Sequence, residues 1–363
     1  KLFGDVPWYD HMVDAESQAD LYKKRDSREE VCRHILEDLN YACDHCSDDP
    51  KYMVRASFIH KYVALAIKAR FCLFEGTYRK YHPLNPNTGE PWANDEAETY
   101  LRECIDACLK IMNSKVYSLV DEPANRKTQY RDMFINEDAC GVYTNEFIWA
   151  RDYDTKLNVN NKDYSINDYM INAQHANYSF NRRWVNTYMC LDGTPFTGKS
   201  GYESMELKDE CKDRDYRLAQ TIRTPGFTRA GGTVHYAPDV VYAKTGYQPC
   251  KWLTDEIKDE IASATASDVP LIRYAEVLLS YAEAKAELGE LDSNEWDKSV
   301  KLVRERAGVK SIYPKTADQY MVDYFGGSVT DARILEVRRE RGVEFPMENL
   351  RWYTTFIYAT HQL

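Results

Sequence analysis

The chain has 363 residues, and its 58 acidic side chains outnumber 47 Lys and Arg, for a net charge of −11 at pH 7. This balance argues against nucleic acid as the main partner, because a surface that binds nucleic acid needs an excess of positive charge. The length allows one large domain or two ordinary ones. No apolar run approaches the roughly 18 to 20 residues of a transmembrane helix.

Aromatic residues are numerous for so polar a chain, with 28 Tyr, 12 Phe and 7 Trp. Most of these rings are expected to fill a helical core and its margins. Tyr and Trp also stack on flat ligands with polar edges, because each combines an apolar body with a polar group. The composition therefore keeps a ligand-binding role open.

Helical signals dominate residues 27–112. Ser27 followed by Glu30 fits a capping box, and apolar residues then recur at helical spacing. A second helix is predicted over about 55–78, and a third begins after Asn94 as its N-cap. This region is interpreted as N-terminal helical pairs, with a loop rich in Pro, Asn and Gly between the second and third helices.

Residues 113–268 lose the helical period. Turn signals and short β-branched or alternating runs replace it, as in residues 146–153 and 233–238. Aromatic residues are concentrated here. A long stretch without strong periodicity is usually functional, so this region is predicted to be a loop-rich insertion that carries the ligand surface.

The strongest pattern covers residues 270–308. Pro270 suits a first helical turn, apolar residues follow on one helical face, and Gly289 can end the helix in a left-handed conformation. A second helix is predicted to start near Asp292 or Ser293 and to stop at Gly308. The two helices resemble one tetratricopeptide-type unit. Residues 269–363 are thus predicted to form a helical hairpin and a final helix.

That final helix, predicted to be capped by Thr330, carries charges of alternating sign. Arginines and glutamates alternate over residues 336–344. Such alternation more often marks a framework of salt bridges than a binding site.

Ten cysteines show no repeated metal-ligand spacing. Cys43 and Cys46 form a lone CxxC without a second ligand pair nearby. Cys104 and Cys108 lie one helical turn apart and are expected to be small buried residues. No metal site and no cofactor are predicted.

Several stretches together resemble the SusD/RagB family, the glycan-binding surface lipoproteins of Bacteroidota. They are GDVPWYD at 4–10, ALAIKARFCLFEGTYRKYH at 64–82, DGTPFTG at 192–198, RDYRLAQTIRTPG at 214–226, KTGY at 244–247, PLIRYAEVLLSYAEAKAELGEL at 270–291 and RRERGVEFPMENLRW at 338–352. No stretch is an active-site signature, but their number and order carry the resemblance. Family members usually have more chain on both sides, so a fragment of a longer protein is expected.

The resemblance implies a mainly α-helical fold, in which tetratricopeptide-like helix pairs form a scaffold and a long irregular insertion with a few short strands carries the ligand. It implies a non-enzymatic protein that captures a glycan for a TonB-dependent (SusC-like) outer-membrane transporter. It also implies a place on the cell-surface side of the outer membrane, through an N-terminal lipid anchor that is not present in this chain.

A glycan site combines aromatic planes for the C–H faces of sugars with polar side chains for their hydroxyl groups. Two loops fit this requirement, residues 79–94 and residues 177–188. The candidate glycan contacts are Arg79, Trp92, Asn94, Tyr178, Phe180, Asn181, Trp184 and Tyr188. For each loop a purely structural role is the alternative to ligand binding. Trp92 could fill a gap between helices, and the alternation in 177–188 could mark a half-buried strand.

Two other functional classes remain as alternatives. A helical-repeat scaffold for protein partners would bind its partner without glycan. A glycoside hydrolase would need two carboxylates about 5 to 9.5 Å apart, for which Glu203 with Glu206 or Asp152 with Asp154 are possible pairs, and it would release reducing ends.

Overall fold

The computed structural model describes residues 3–92, 97–154, 179–229, 234–235, 237–241, 243–255 and 266–350. Helices dominate these residues, as predicted. The helices are α1 Gln18–Leu21, α2 Arg28–His45, α3 Lys61–Tyr81, α4 Ala97–Ser114, α5 Gln129–Ile135, α6 Ala139–Val142, α7 Arg182–Val185, α8 Leu207–Glu210, α9 Tyr216–Thr221, α10 Tyr274–Glu287, α11 Ser293–Asp297, α12 Val300–Arg306, α13 Gln319–Tyr324 and α14 Ala332–Glu344. The strands are β1 Phe147–Arg151, β2 Thr228–Arg229, β3 Val234–His235 and β4 Val269–Arg273, and short 3₁₀ turns cover Pro50–Tyr52, Phe196–Gly198 and Tyr202–Ser204.

Helix α2 begins where the capping box predicts. The Ser27 side chain accepts a hydrogen bond from the Glu30 backbone N–H at 3.2 Å, so it satisfies a donor that has no partner within the helix. Helix α3 starts at Lys61 rather than near residue 55. The backbone of Ala56 pairs instead with Cys140 and Ala150, at 2.9 Å each, and these long-range bonds replace the helical ones.

Helix α10 is the centre of the fold. Every residue of this helix except Lys285 is buried, as expected of a helix surrounded by other elements. It packs against α3, α4, α12 and α14, and α3 packs against both α2 and α4. Cys104 and Cys108 of α4 are fully buried in this core, which confirms the prediction that they are small core residues.

The prediction that Pro270 opens a helix is wrong. Residues Val269–Arg273 form β4, which pairs antiparallel with β1 and places Pro270 opposite Ala150. Proline cannot donate a ladder hydrogen bond, but each strand of a two-stranded sheet has an unpaired edge, where proline is tolerated. Helix α10 starts directly after this strand, at Tyr274.

The second arm of the predicted hairpin is present with a break. Asp292 caps α11 by accepting hydrogen bonds from the N–H groups of Asn294 and Glu295. At Ser299 the backbone leaves the helical region (φ −133°, ψ −89°), and α12 continues from Val300. Gly289 ends α10 at φ +75°, as predicted. Together α10, α11 and α12 form a tetratricopeptide-like helix pair.

Helix α14 is capped by Asp331, whose side chain accepts from the Arg333 and Ile334 N–H groups, and not by Thr330. The alternating charges of this helix form a framework of salt bridges, as predicted, and most of that framework is buried. Arg304 pairs with Glu336 and Glu340 at 2.5 and 2.8 Å. Buried arginines from other elements extend the framework, and these are Arg217, Arg273 and Arg306.

The middle of the chain is built from short elements. The predicted run at 146–153 contains β1, and the run at 233–238 contains β3, which pairs with β2. Short helices, including α5 and α7 to α9, stand between them. Within the described ranges no helix combines the length and apolarity required to cross a membrane.

His60 gives a first testable prediction. This side chain is 1% exposed, and its burial lowers its pKa to about 4. In the unfolded chain the His60 side chain has its ordinary pKa of about 6.5. As pH falls from that value towards 4, the unfolded chain therefore binds a proton at His60 that the folded chain does not, and the folded state loses stability. We expect wild type to lose about 3 kcal/mol more than His60→Gln between pH 7 and pH 4, measured by urea unfolding. Parallel pH profiles of the two proteins would contradict this assignment.

Candidate functional site

Helix α7 contacts helix α13, and half-buried aromatic residues lie on both sides of this contact. Phe180 stacks on Trp184, with ring centroids 4.1 Å apart and ring planes inclined by 22°. Trp184 is itself buried, and its indole N–H donates to the Gly342 carbonyl of α14 at 3.0 Å. The Phe180 ring is therefore held against a fixed support. We call Phe180, Tyr320 and Tyr324 the aromatic surface.

Helix α13 supplies the two tyrosines. Asp318 caps this helix by accepting from the Tyr320 N–H at 3.0 Å, and Met321 and Val322 face the core. Tyr320 and Tyr324 are one turn apart, so their rings share the half-exposed side, with centroids 6.5 Å apart. Burial raises the pKa of Tyr320, so its hydroxyl stays protonated and donates to the Arg183 carbonyl at 2.9 Å.

Exposed polar groups border these rings. The Arg183 guanidinium lies 5.6 Å from the centroid of the Tyr324 ring and donates to the Asp323 carbonyl at 3.2 Å. Asn181, Asp323 and Gln319 are also exposed. Aromatic faces beside amide, carboxylate and guanidinium groups match the C–H faces and hydroxyl groups of a sugar.

A small cavity lies behind the aromatic surface. Its volume is about 50 Å³, and its walls include Trp184, Tyr324, Phe325 and Arg338. Pockets that enclose small-molecule ligands usually have volumes of about 300 to 1,000 Å³. A sugar ring can therefore contact the open surface but cannot enter this cavity.

The structure separates the predicted contacts of residues 177–188 into two groups. Phe180 and Asn181 lie at the surface, whereas Trp184 and Tyr188 are only 2% and 0% exposed. Such burial prevents stacking on a sugar, so these two rings support the surface instead. For residues 179–188 the alternative of a half-buried strand is wrong, because the Asn181 side chain accepts from the Trp184 N–H at 2.8 Å and starts helix α7.

In the other predicted loop, residues 79–94, the described candidate residues make contacts mainly within the protein. Arg79 is 3% exposed and pairs with Glu75 at 2.9 Å, with the Trp92 and Tyr100 rings 5.1 and 5.0 Å from its guanidinium carbon. Trp92 is half-buried and donates its indole N–H to the His82 carbonyl at 2.6 Å. Arg79 is thus a buried framework residue, and a ligand could reach only the open part of the Trp92 ring.

Asn94 and Tyr178 lie outside the described residues. Conversely, Tyr320, Tyr324 and Arg183 were not among the predicted contacts. The available signal was an Asp cap followed by two tyrosines one helical turn apart, but such a pattern is common in helices that bind nothing. Only the approach of α13 to α7 makes these residues a candidate site.

One group of potential metal ligands occurs elsewhere in the described part of the chain. Ligand atoms of Cys140, Asp152 and Asp268 lie within 4.8 Å of one another. Asp268 already accepts from the N–H groups of Cys140 and Tyr153 at 2.8 Å each, and Asp152 accepts from the Arg55 Nε–H at 2.8 Å. Protein donors therefore already engage both carboxylates, and we assign no metal to them.

Comparison with solved structures shows the same fold in other proteins. A SusD-like protein from Bacteroides fragilis matches with a TM-score of 0.66 at 20% identity, over 97% of this chain and 64% of that one. A SusD-like carbohydrate-binding protein from the same species matches with a TM-score of 0.69 at 19% identity, over 98% and 63%. Surface glycan-binding protein A from Bacteroides fluxus matches with a TM-score of 0.52 at 17% identity, over 98% and 63%.

This chain thus spans less than two thirds of the length of these three proteins. No curated protein sequence matches the chain. The model of the SusD family matches residues 145–354, which is more than half of the chain and includes β1, β4, the aromatic surface and the helices from α7 to α14. The chain therefore belongs to the SusD family.

Proposed function

We propose that this chain binds an oligosaccharide or polysaccharide at the bacterial cell surface through the aromatic surface. The observation that carries the proposal is the pair of half-buried rings of Tyr320 and Tyr324 beside exposed Arg183 and Asp323, with half-buried Phe180 stacked on Trp184 of the adjoining helix α7. Its chemistry suits a polar ligand with apolar faces. Similarity to a SusD-like carbohydrate-binding protein supports the same function.

In this proposal the protein is a non-catalytic capture protein. It delivers the glycan to a TonB-dependent outer-membrane transporter of the SusC type and is held on the cell-surface side of the outer membrane by a lipid anchor. Family membership supports this place and partner. Native purification of the membrane complex from the source bacterium tests it, with a transporter in the same particle as the expected result and a solitary protein as the contrary one.

The surroundings of the candidate carboxylates argue against a glycoside hydrolase. Asp152 is engaged by Arg55 at 2.8 Å, and the Glu203 and Glu206 side chains are exposed to water. The general acid of a glycosidase lies in an apolar pocket, whereas these two side chains are surrounded by water. A scaffold for protein partners remains the other alternative, and binding independent of glycan would favour it.

The direct test is calorimetry of the full chain against soluble plant, host and microbial glycans, with reducing ends assayed in the same samples. We expect saturable binding of at least one glycan and no new reducing ends. Tyr324→Ala is expected to weaken that binding about tenfold, because one stacking ring contributes about 1.4 kcal/mol or more together with its buried area.

Tyr22→Ala is the matched control, since Tyr22 is 76% exposed and lies in the N-terminal segment outside the aromatic surface. Its affinity should equal that of wild type. Thermal unfolding of both variants checks that each is folded. Equal affinity in Tyr324→Ala would place the glycan elsewhere, and new reducing ends would overturn the non-catalytic assignment.

A further inference from the structure

A second, larger recess lies on the described part of the molecule between α8 and α9. This groove has a volume of about 520 Å³, within the usual range of small-molecule sites. Its polar lining includes Lys127, Lys208, Lys212, Asp213, Arg214 and Tyr216. We call it the lysine groove. None of these residues belongs to the aromatic surface.

The wall of the lysine groove contains a buried cation. Arg214 is 3% exposed, and it donates hydrogen bonds to the backbone carbonyls of Glu210, Val185 and Tyr188 at 2.8, 2.9 and 3.0 Å. Its guanidinium also stacks on Phe196, 3.6 Å from the ring centroid. Among the described residues no carboxylate forms an ion pair with Arg214, and its buried Nε–H has no hydrogen-bond partner.

The contrast with its neighbour Arg217 is informative. Arg217 is also buried, but it pairs with Asp215, Glu340 and Glu344 at 2.6, 2.7 and 2.8 Å. Buried charges are normally compensated in this way. Asp215 also borders the lysine groove, yet its charge is taken up by Arg217. No described carboxylate forms an ion pair with Arg214, and the charges of Glu210 and Asp215 act on it only at longer range. Its charge is therefore less fully compensated than that of Arg217 and contributes a positive field to the groove.

Three lysines at the rim add to this field. Lys208 and Lys212 pair with Glu206 and Asp209 at 3.1 and 2.7 Å. Both pairs are exposed, and exposed ion pairs contribute little free energy. Lys127 forms no ion pair with a described carboxylate, and its Nζ lies 5.5 Å from the centroid of the Tyr216 ring. The charged residues that line the groove are four cations, Lys127, Lys208, Lys212 and Arg214, and two carboxylates, Asp213 and Asp215, so the lining has an excess of positive charge in a chain of net charge −11.

Tyr216 supplies a flat ring in the same recess. Its ring packs directly against Gly308, where a Cβ atom would come within 2.4 Å of the ring. The Tyr216 backbone N–H also donates to the Ala307 carbonyl at 3.1 Å. A ring held in this way offers a fixed surface on which a sugar can pack.

We propose that the lysine groove binds an acidic sugar unit, one that carries a carboxylate or a sulfate group. The inference rests on the proposed glycan-binding function and names the chemical class of sugar for a second site. The ring of Tyr216 packs against the pyranose, Lys127 contacts the anionic group, and the field of Arg214 favours negative charge in the recess. A long nucleic acid is disfavoured, because it would extend over a surface that is negative in total.

The experiment compares charged and neutral forms of the same oligosaccharide by calorimetry on the full chain. Oligogalacturonate is paired with its methyl ester, and sulfated dextran oligosaccharide with unmodified dextran oligosaccharide. We expect at least one acidic form to bind tenfold or more tightly than its neutral partner, with affinity that falls as salt is raised. The pair that shows the effect identifies carboxylate or sulfate as the source of charge.

Lys127→Glu is expected to weaken acidic binding at least tenfold, because it replaces attraction by repulsion at the rim. Lys24→Glu is the matched control, since Lys24 is exposed and lies outside the groove, and it should bind as wild type does. Equal effects of the two substitutions, or equal affinity for charged and neutral forms, would overturn the inference. Full competition by inorganic sulfate at equal concentration would show an anion site that does not recognise sugar, and would overturn it as well.

These outcomes are separable from failure of the proposed function. Neutral glycan that binds in a Tyr324-dependent manner, without binding of either acidic form, refutes the lysine groove alone. Absence of binding by every glycan, neutral or acidic, refutes both.

Discussion

Replacement of Glu344 by Gln is expected to lower the free energy of unfolding by about 3 to 5 kcal/mol, the usual cost of breaking a buried ion pair. Glu344 is fully buried at the end of α14. Its carboxylate accepts from Arg217 and Arg273 at 2.8 and 2.9 Å, and from Arg306. Removal of its charge leaves three buried guanidinium groups with less compensation.

The pH dependence of this effect provides an internal check. Burial raises the pKa of Glu344, but attraction to Arg306, Arg273 and Arg217 outweighs burial and holds that pKa well below its usual range. The stabilisation is therefore present above about pH 4.5, the unfolded value, and is lost as pH falls. We expect the difference between wild type and Glu344→Gln to shrink as the solution is acidified.

Urea unfolding at pH 7 and at pH 4 measures both quantities. Glu305→Gln is the matched control, because Glu305 lies on the neighbouring helix α12 and is exposed. A surface substitution of this kind usually changes stability by less than about 0.5 kcal/mol. Equal stability of the two variants at pH 7 would show that the buried framework does not stabilise the fold.

Gly193→Ala is expected to destabilise the chain by about 3 kcal/mol, for two separate reasons. Gly193 has a φ of +85°, a conformation that costs a residue with a side chain about 1 to 2 kcal/mol. A Cβ atom there would also lie 2.3 Å from the Lys310 carbonyl oxygen. That carbonyl cannot move easily, because the Lys310 N–H donates to the Leu191 carbonyl at 2.8 Å, and overpacking costs about 1 to 3 kcal/mol.

Gly289→Ala separates these two contributions. Gly289 has a similar φ of +75°, but a Cβ atom added there would have no other atom of the described residues within 4 Å, apart from its immediate surroundings in the chain. We expect this control to cost only the conformational part, about 1 to 2 kcal/mol. Chemical unfolding of both variants measures the difference. If Gly193→Ala is no worse than Gly289→Ala, the approach of residue 310 to the turn is looser than the structure indicates.

Local features could be predicted from the sequence because they depend on neighbouring residues. The cap at Ser27, the left-handed stop at Gly289, the start of a helix near Asp292 or Ser293 and the buried apolar residues of α10 all appear where predicted. Helical period, cap chemistry and the backbone freedom of glycine act within a few residues. Family resemblance added the global arrangement, which no local pattern contains.

Other features depend on residues that are distant in the chain. Pro270 lies in a strand because β1 pairs with it across more than a hundred residues. Trp184 and Tyr188 resemble exposed stacking rings in the sequence, but α14 covers them, through the bond from Trp184 to Gly342 and the bond from Tyr188 to Val343. Alternation of aromatic and polar residues in the sequence does not predict which rings remain exposed in the fold.

By itself, therefore, the sequence determined the helical scaffold, the family and the chemistry available to the proposed glycan site. Tertiary structure alone decided which of the aromatic and charged residues reach the surface. It placed Tyr320 and Tyr324 beside Arg183 of α7, enclosed Glu344 among three arginines, and left Arg214 without an ion pair to a carboxylate of the described residues. The physical reason is that burial and charge compensation are set by packing between distant segments, whereas the period and caps of a helix are set within a few turns.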